Sequence, residues 1–304
     1  MRGGPRIEAP RSGDRGALLR SPTQPIYGEA MNLHFSEEEI RRYSRHILLP
    51  EVGGTGQAKL RSARVLVVGA GGLGSPVLLY LAAAGVGTIG LIDHDVVDIS
   101  NLQRQIAHTT QSVGAPKVRS AAASARAINP HVTIEEHQER LTPAIALDLV
   151  PRYDLVCDGT DNFPTRFLVA DACVLARRTL VSAAVLRFDG QLSVFKPHAG
   201  DEFPCYRCLY PEPPPEGMVP SCSEAGVFGA VTGVMGTLQA TEALKELLGI
   251  GETLAGKLLI WDALASRFRV VKLRRDPGCA ACGAQATLHD LSAHQPAPEA
   301  ACAV

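Results

Sequence analysis

The chain has 304 residues, 46% of them hydrophobic and 20% charged, enough to bury a large core without disulfide staples. Thirty lysines and arginines against 31 aspartates and glutamates give a formal net charge of −1, which excludes broad salt-driven nucleic-acid binding, and 5% aromatics exclude a stacking platform for single strands. Of eight cysteines, four fall in two Cys-x-x-Cys pairs, which points to metal or redox chemistry in a reducing compartment, the cytoplasm, and away from a secreted disulfide framework.

Residues 1–32 read as a disordered leader, rich in Arg, Pro and Gly and lacking the continuous apolar run of a secretory signal. Glu8, Asp14 and the prolines argue against an amphipathic import helix, and Met31 offers an alternative start. Ser36 followed by Glu37, Glu38 and Glu39 is a helix-start signature, and the helix is expected to run to His46. Gly53-Gly54-Thr55-Gly56 is expected to break it, with a second short helix over 57–62.

The apolar run 64–68 predicts a strand buried on both faces of a parallel sheet. Further strands are predicted over 88–92, 132–135, 154–157 and 180–185, alternating with helices over 76–84, 117–128, 144–150 and 165–177. That alternation is the signature of a doubly wound, Rossmann-like α/β sheet. After Arg187 the style changes: Asp189-Gly190 is a hairpin signal, 191–195 alternates, and 197–225 is Pro-rich and loop-like. Residues 226–248 are helical and 258–273 strand-rich, giving an antiparallel extension; the residues from 285 to 304 read as a flexible tail. The apolar stretch 227–238 falls short of the ~20 residues a membrane span needs, so it is expected to be a core helix. Gly226, Gly229, Gly233 and Gly236 are expected to let other backbones approach it closely.

Gly69-Ala70-Gly71-Gly72-Leu73-Gly74 fits G-x-G-x-x-G between a strand and a helix, the context in which backbone N–H groups and a helix N-terminus receive phosphate. Asp93, 19 residues after Gly74, ends the next strand and is placed to accept ribose hydroxyls. Asn101, Arg104 and Lys117 follow; two cations and an amide suit a triphosphate better than a dinucleotide pyrophosphate. Asp158 and Asp161 lie at the carboxyl end of the fourth strand, and Asp161 is the preferred Mg²⁺ ligand because Asp158 can cap the next turn.

Cys205-x-x-Cys208 and Cys279-x-x-Cys282, with 70 residues between the pairs, can close a four-thiolate zinc site; a redox pair is the alternative. Cys222 stands apart before the apolar helix and reads either as a nucleophile with a lowered pKa or as an unreactive small residue. Cys157 and Cys173 fall in a strand and a helix and read as core.

Taken together, these pieces resemble the ThiF/MoeB/HesA family, bacterial relatives of ubiquitin-activating enzymes. The resemblance covers roughly residues 33–283. It rests on Arg42-Tyr43-Ser44-Arg45, the glycine loop, the stretch from Asp93 to Gln105, Pro116-Lys117, Thr160-Asp161-Asn162, both cysteine pairs and Cys222-Ser223-Glu224-Ala225-Gly226. It implies an adenylation domain over 33–284, with an ATP-binding part at about 60–187 and a carrier-docking and zinc part at about 188–284.

It further implies ATP-dependent adenylylation of the C-terminal Gly-Gly carboxylate of a ubiquitin-like sulfur carrier. Asp93 would hold the ribose, Asn101, Arg104 and Lys117 the phosphates, and Asp161 Mg²⁺; Arg45 would reach the ATP site of the other subunit of a homodimer. The loop from Cys205 to Pro215 tilts the expected carrier toward the small subunit of molybdopterin synthase, in molybdenum cofactor biosynthesis. The thiamine sulfur carrier is the alternative, and there the residue matching Cys222 takes part in sulfur transfer. The 22 residues after Cys282 are too few for a rhodanese domain, so a separate sulfur donor protein is expected. An NAD-dependent oxidoreductase shares the glycine loop and Asp93 but leaves Arg104, Lys117 and the four cysteines without a role.

Overall fold

The computed structural model describes residues 34–215, 218 and 222–294. The expected leader lies outside the described residues, as does the 295–304 end of the expected tail. One eight-stranded sheet carries the fold, in the order β3-β2-β1-β4-β5-β6-β7-β8. Its strands are β1 (Arg64–Val68), β2 (Thr88–Ile92), β3 (Thr133–His137), β4 (Leu155–Asp158), β5 (Thr179–Leu186), β6 (Asp189–Phe195), β7 (Lys257–Asp262) and β8 (Arg267–Lys272). β3, β2, β1, β4 and β5 pair in parallel, and β5 through β8 pair antiparallel. The fold is therefore the expected α/β sheet with an antiparallel extension.

Strand alternation divides the core. Val65 and Val67 of β1 face a layer made by α3 (Gly53–Ser62), α4 (Gly74–Ala84), α5 (Lys117–Ile128) and α10 (Gly229–Leu248). Leu66 and Val68 face the opposite layer, from α6 (Pro143–Leu149) and α7 (Phe163–Leu175). Both faces of β1 are thus covered, which is why its sequence is a continuous apolar run. The chain order reverses between β1 and β4, and loops leaving the carboxyl ends of those strands flank the crevice where open α/β sheets hold ligands.

Several expected boundaries shift for identifiable reasons. The first helix is two, α1 (Glu37–Arg42) and α2 (Ser44–Ile47), because Tyr43 between them leaves helical geometry at φ −95°, ψ 8°. The glycines at 53–56, expected only to separate the first helix from a second over 57–62, themselves form the first turn of α3, and Gly56 fits closely against Val52 and Leu248. The β5–β6 turn is Arg187-Phe188, not Asp189-Gly190: Leu186 pairs with Asp189, and Arg187 takes the positive φ of 54°. Gly190 is a strand residue because Met235 occupies the space a Cβ would need.

The loop region 197–225 holds two four-residue helices, α8 (Tyr206–Leu209) and α9 (Cys222–Ala225). In α10, Gly229 and Gly236 meet the backbones of Gln103 and Leu73, whereas Gly226 and Gly233 have open space beside them. No helix among the described residues is long and apolar enough to cross a membrane. The expectation of a loose tail does not hold for residues 285–294: Leu291 is 1% exposed in the α6–α7 layer, and His294 bonds Asp171 at 2.7 Å.

Candidate functional site

The glycine loop joins β1 to α4, and its geometry follows from what a side chain would meet. Gly69 has φ +91°, and a Cβ on Gly74 would sit 1.8 Å from the Gly69 carbonyl oxygen. Only glycine closes the turn so tightly, and α4 therefore begins at Gly74, two residues earlier than its sequence suggests. Gly69, Gly71 and Gly72 line a cavity at the carboxyl ends of β1 and β4, and the side of Gly71 is open toward Gln105.

Asp93, Arg104, Lys117 and Asp161 line the same cavity. The Asp93 carboxylate accepts the backbone N–H groups of Ala70 and Asp95, each at 2.8 Å, tying the end of β2 to the glycine loop. Arg104 is braced on the Ser100 carbonyl at 3.0 Å. Lys117 opens α5, is only 7% exposed, and donates to Asp95 at 2.8 Å. Burial pushes Asp95 up, but the Lys117 hydrogen bond and charge outweigh it and hold Asp95 below its ordinary value.

Asp158 is fully engaged: one oxygen accepts the Thr160 N–H and hydroxyl, the other the Ser182 hydroxyl, and the residue is 1% exposed. Asp161 is exposed on the cavity wall with its carboxylate available. The cavity thus offers backbone N–H groups, the cations Arg104 and Lys117 with Arg140 and Arg166, a free carboxylate and a helix N-terminus. That donor set fits a nucleoside triphosphate with a divalent cation.

Other expected residues stand elsewhere. Asn101 is off the cavity wall: its Oδ1 accepts the Asp98 N–H at 3.1 Å, capping a turn, and Gln105 takes the wall position. Arg45 is exposed on α2 and does not line its own chain's cavity. Cys222 heads α9, and its side chain lies outside the described residues. Three wall or support residues escaped the sequence reading: Asp95 under Lys117, Arg166 of α7, and His108 behind the glycine loop. Their partners are 6 to 38 residues distant, and no local spacing marks them.

A second cavity borders the first. Small side chains of β5, Ser182, Ala183 and Ala184, line it together with Gln191, Tyr206 and Tyr210. Asp161, Arg166 and Val185 belong to both walls, so the two spaces meet at those residues.

The four cysteines converge as expected. Their Sγ atoms lie within 4.8 Å of one another, with Cys205–Cys208 at 3.8 Å, Cys205–Cys279 at 3.5 Å and Cys208–Cys282 at 3.4 Å. A tetrahedron with ~2.3 Å zinc–sulfur arms has edges of ~3.8 Å, so this set fits a structural zinc. Hydrogen bonds from neighbouring thiols and the Asp276 N–H hold Cys208 well below the ordinary thiol range. Between the first pair, Arg207 makes two bonds to the buried Asp171 of α7, at 2.8 and 2.7 Å, locking the knuckle to the domain. Cys157 and Cys173 are buried, and desolvation pushes both thiols far up, as core residues require.

Comparison with known proteins agrees with this geometry. The model described as "ThiF family" matches residues 43–281. The chain is 52% identical over 291 residues to bovine (Bos taurus) "Adenylyltransferase and sulfurtransferase MOCS3", covering 95% of this chain and 63% of that protein. It is also 52% identical over 261 residues to the "Sulfur carrier protein adenylyltransferase" of Thermus thermophilus, covering 85% of this chain and 96% of that one. Among solved structures, Escherichia coli MccB with MccA-N7isoASN superposes with a TM-score of 0.70 at 24% identity, over 83% of this chain and 76% of that one, a likeness of fold.

Proposed function

This chain belongs to the ThiF family, and we propose that it is a nucleotidyltransferase that adenylylates the C-terminal Gly-Gly carboxylate of a ubiquitin-like sulfur carrier. The carrier proposed is the small subunit of molybdopterin synthase, in molybdenum cofactor biosynthesis. One observation carries the reading: the triphosphate-type cavity meets a second space, floored by small side chains, at Asp161, Arg166 and Val185. A side-chain-free Gly-Gly tail in the second space brings its carboxylate to the α-phosphate in the first. The names of the bovine and Thermus relatives support the same chemistry.

A carboxylate resists attack by sulfur nucleophiles because resonance stabilises it. One carboxylate oxygen attacks the α-phosphorus of ATP; a C–O–P linkage forms, the α–β phosphoanhydride breaks, and pyrophosphate leaves with the electron pair. The chain's task is to position two substrates and neutralise charge. Backbone N–H groups of the glycine loop and the N-terminus of α4 receive phosphate oxygens. Lys117 and Arg104 offset the charge that develops on them, and Asp93 accepts the ribose hydroxyls. Asp161 would hold Mg²⁺, which would offset phosphate charge during the transfer. Cys205, Cys208, Cys279 and Cys282 would hold a structural zinc with no open position for catalysis.

The proposal extends to a cytoplasmic homodimer in which Arg45 serves the partner's site, and to a separate sulfur donor. Cys222 is proposed for the sulfur-transfer or thioester step. ATP–pyrophosphate exchange with each purified carrier tests the core of this reading. Exchange with the molybdopterin synthase subunit, abolished by Asp161→Ala in a folded protein, is the expected result. Exchange with the thiamine carrier alone would keep the reaction and change the substrate; none with either would end the reading.

A further inference from the structure

Arg166 is a buried cation without a carboxylate. It is 9% exposed, in the first turn of α7, and its guanidinium donates to the Thr160 carbonyl. Among the described residues it has no ion pair within 4.0 Å. Of the acids on this side, Asp158 is engaged with Thr160 and Ser182 and Asp171 with Arg207 and His294, while Asp161 shares the cavity wall without forming an ion pair with Arg166. The contrast with Arg207 is informative, because that guanidinium has its carboxylate at 2.7 Å. A guanidinium keeps its charge at any ordinary pH, and burying that charge unpaired is unfavourable by several kcal/mol. The partners it has inside the chain, the Thr160 carbonyl and the Tyr206 hydroxyl, are neutral, so an anion at the cavity wall would complete it with opposite charge.

The position says which anion. Arg166 is one of three residues shared by the walls of both cavities, beside Asp161. Phosphate-directed cations, Arg104 and Lys117, stand on the first cavity alone. The geometry points to Arg166 as the residue that receives the C-terminal carboxylate of the incoming polypeptide. This inference rests on the adenylylation reading above and adds a residue to it. Arg166 holds one carboxylate oxygen by charge-assisted hydrogen bonds and leaves the other free toward the α-phosphorus. Its bond to Thr160 O fixes the guanidinium on the same turn that carries Asp161, so the acceptor and the Mg²⁺ ligand share one support.

Two forms of the molybdopterin synthase small subunit test this, one with a free C-terminal carboxylate and one with a C-terminal amide. Their binding is measured by calorimetry without ATP. Wild-type protein should prefer the carboxylate by at least ~10-fold, the scale of one charge-assisted pair. Arg166→Gln should bind both forms alike, and Arg166→Lys should recover part of the preference. Should Arg166→Gln fold poorly, the lysine variant carries the test through a preference intermediate between wild type and none. Undiminished discrimination in the variants, with wild-type pyrophosphate exchange intact, overturns the assignment alone. Absence of exchange by the wild type with either carrier overturns the adenylylation reading, and Arg166's role with it.

Discussion

The His108 ring donates from Nε2 to the Ala70 carbonyl at 3.0 Å, in the middle of the glycine loop. A carbonyl only accepts, so the ring proton sits on Nε2 and Nδ1 accepts the Ser120 hydroxyl at 2.9 Å. Ser120 lies one turn after Lys117 on α5, and Ser124, a turn further, donates to the Ala107 carbonyl. Three segments that line the triphosphate-type cavity are thereby held in one register: the glycine loop, the Arg104 loop and the start of α5.

Replacing His108 should loosen that register. Losing a buried hydrogen bond costs ~1–3 kcal/mol, which predicts a rise in the KM for ATP of roughly 5- to 150-fold for His108→Ala. His108→Gln, which keeps a donor near Nε2, should fall between it and wild type. The same residue gives a pH dependence. Burial lowers its pKa from 6.5 in the folded chain. As pH falls below 6.5 the unfolded chain takes up a proton that the folded chain refuses. Stability is therefore lost toward acid, by up to ~1.4 kcal/mol per pH unit until the folded value is reached. His108→Gln should flatten the slope in denaturant titrations between pH 7 and 5, leaving the part due to His198, which burial shifts in the same direction.

Local chemistry made much of this molecule legible. The apolar run 64–68 could only be a doubly covered strand, and the glycine loop announced its own turn. Lys117 after Pro116 marked a helix start at the cavity. What escaped depended on partners far along the chain. Gly190 looked like a turn residue, but Met235, 45 residues away, requires a glycine there, and the turn moved to Arg187-Phe188. Asn101 resembled a phosphate ligand; its Oδ1 caps its own turn, and Gln105 stands on the cavity wall beside it. Arg166 carried no local signal in the sequence; its burial follows from the packing of α7 and α8, with Phe167 against Tyr206 at 5.2 Å.

Two glycines should respond oppositely to alanine. At Gly74 the new methyl would overlap the Gly69 carbonyl, and both are backbone, so neither can yield cheaply. Gly74→Ala should abolish ATP binding in calorimetry or prevent folding. Gly233 sits within α10 with nothing inside 4 Å of a Cβ. Gly233→Ala should stabilise the chain by ~1 kcal/mol through helix propensity, raising Tm by ~2 °C or more. A fall in Tm would mean that another surface lies against this face.

The four-cysteine cluster predicts one zinc per chain by elemental analysis. Cys279→Ser removes a ligand from a site whose sulfurs already stand at tetrahedral spacing. It should lose the metal and lower Tm by at least ~5 °C, since site formation contributes folding free energy. Arg207 and His294 both hold Asp171, so residues 285–294 should also become protease-sensitive. Purified protein without zinc, and with two fewer titratable thiols, would return the redox reading.

Arg45 is an expected site residue that the cavity of its own chain does not contain. Its helix α2 is held nonetheless: the His46 ring meets Gln57 Oε1 at 3.3 Å, and Gln57 donates to the Ala84 carbonyl at 2.8 Å. An exposed arginine on an anchored helix suits service to a neighbouring subunit. If Arg45 completes the partner's site, Arg45→Ala and Arg104→Ala should each lose pyrophosphate exchange. Mixed in equal amounts and allowed to exchange subunits, they place one intact site in each mixed dimer. Half of the dimers are mixed and each has two sites, so activity should return to about a quarter of wild type. A mixture as inactive as its parents, with subunit exchange verified by mass spectrometry, would exclude the shared site and leave Arg45 with a role inside its own chain or none.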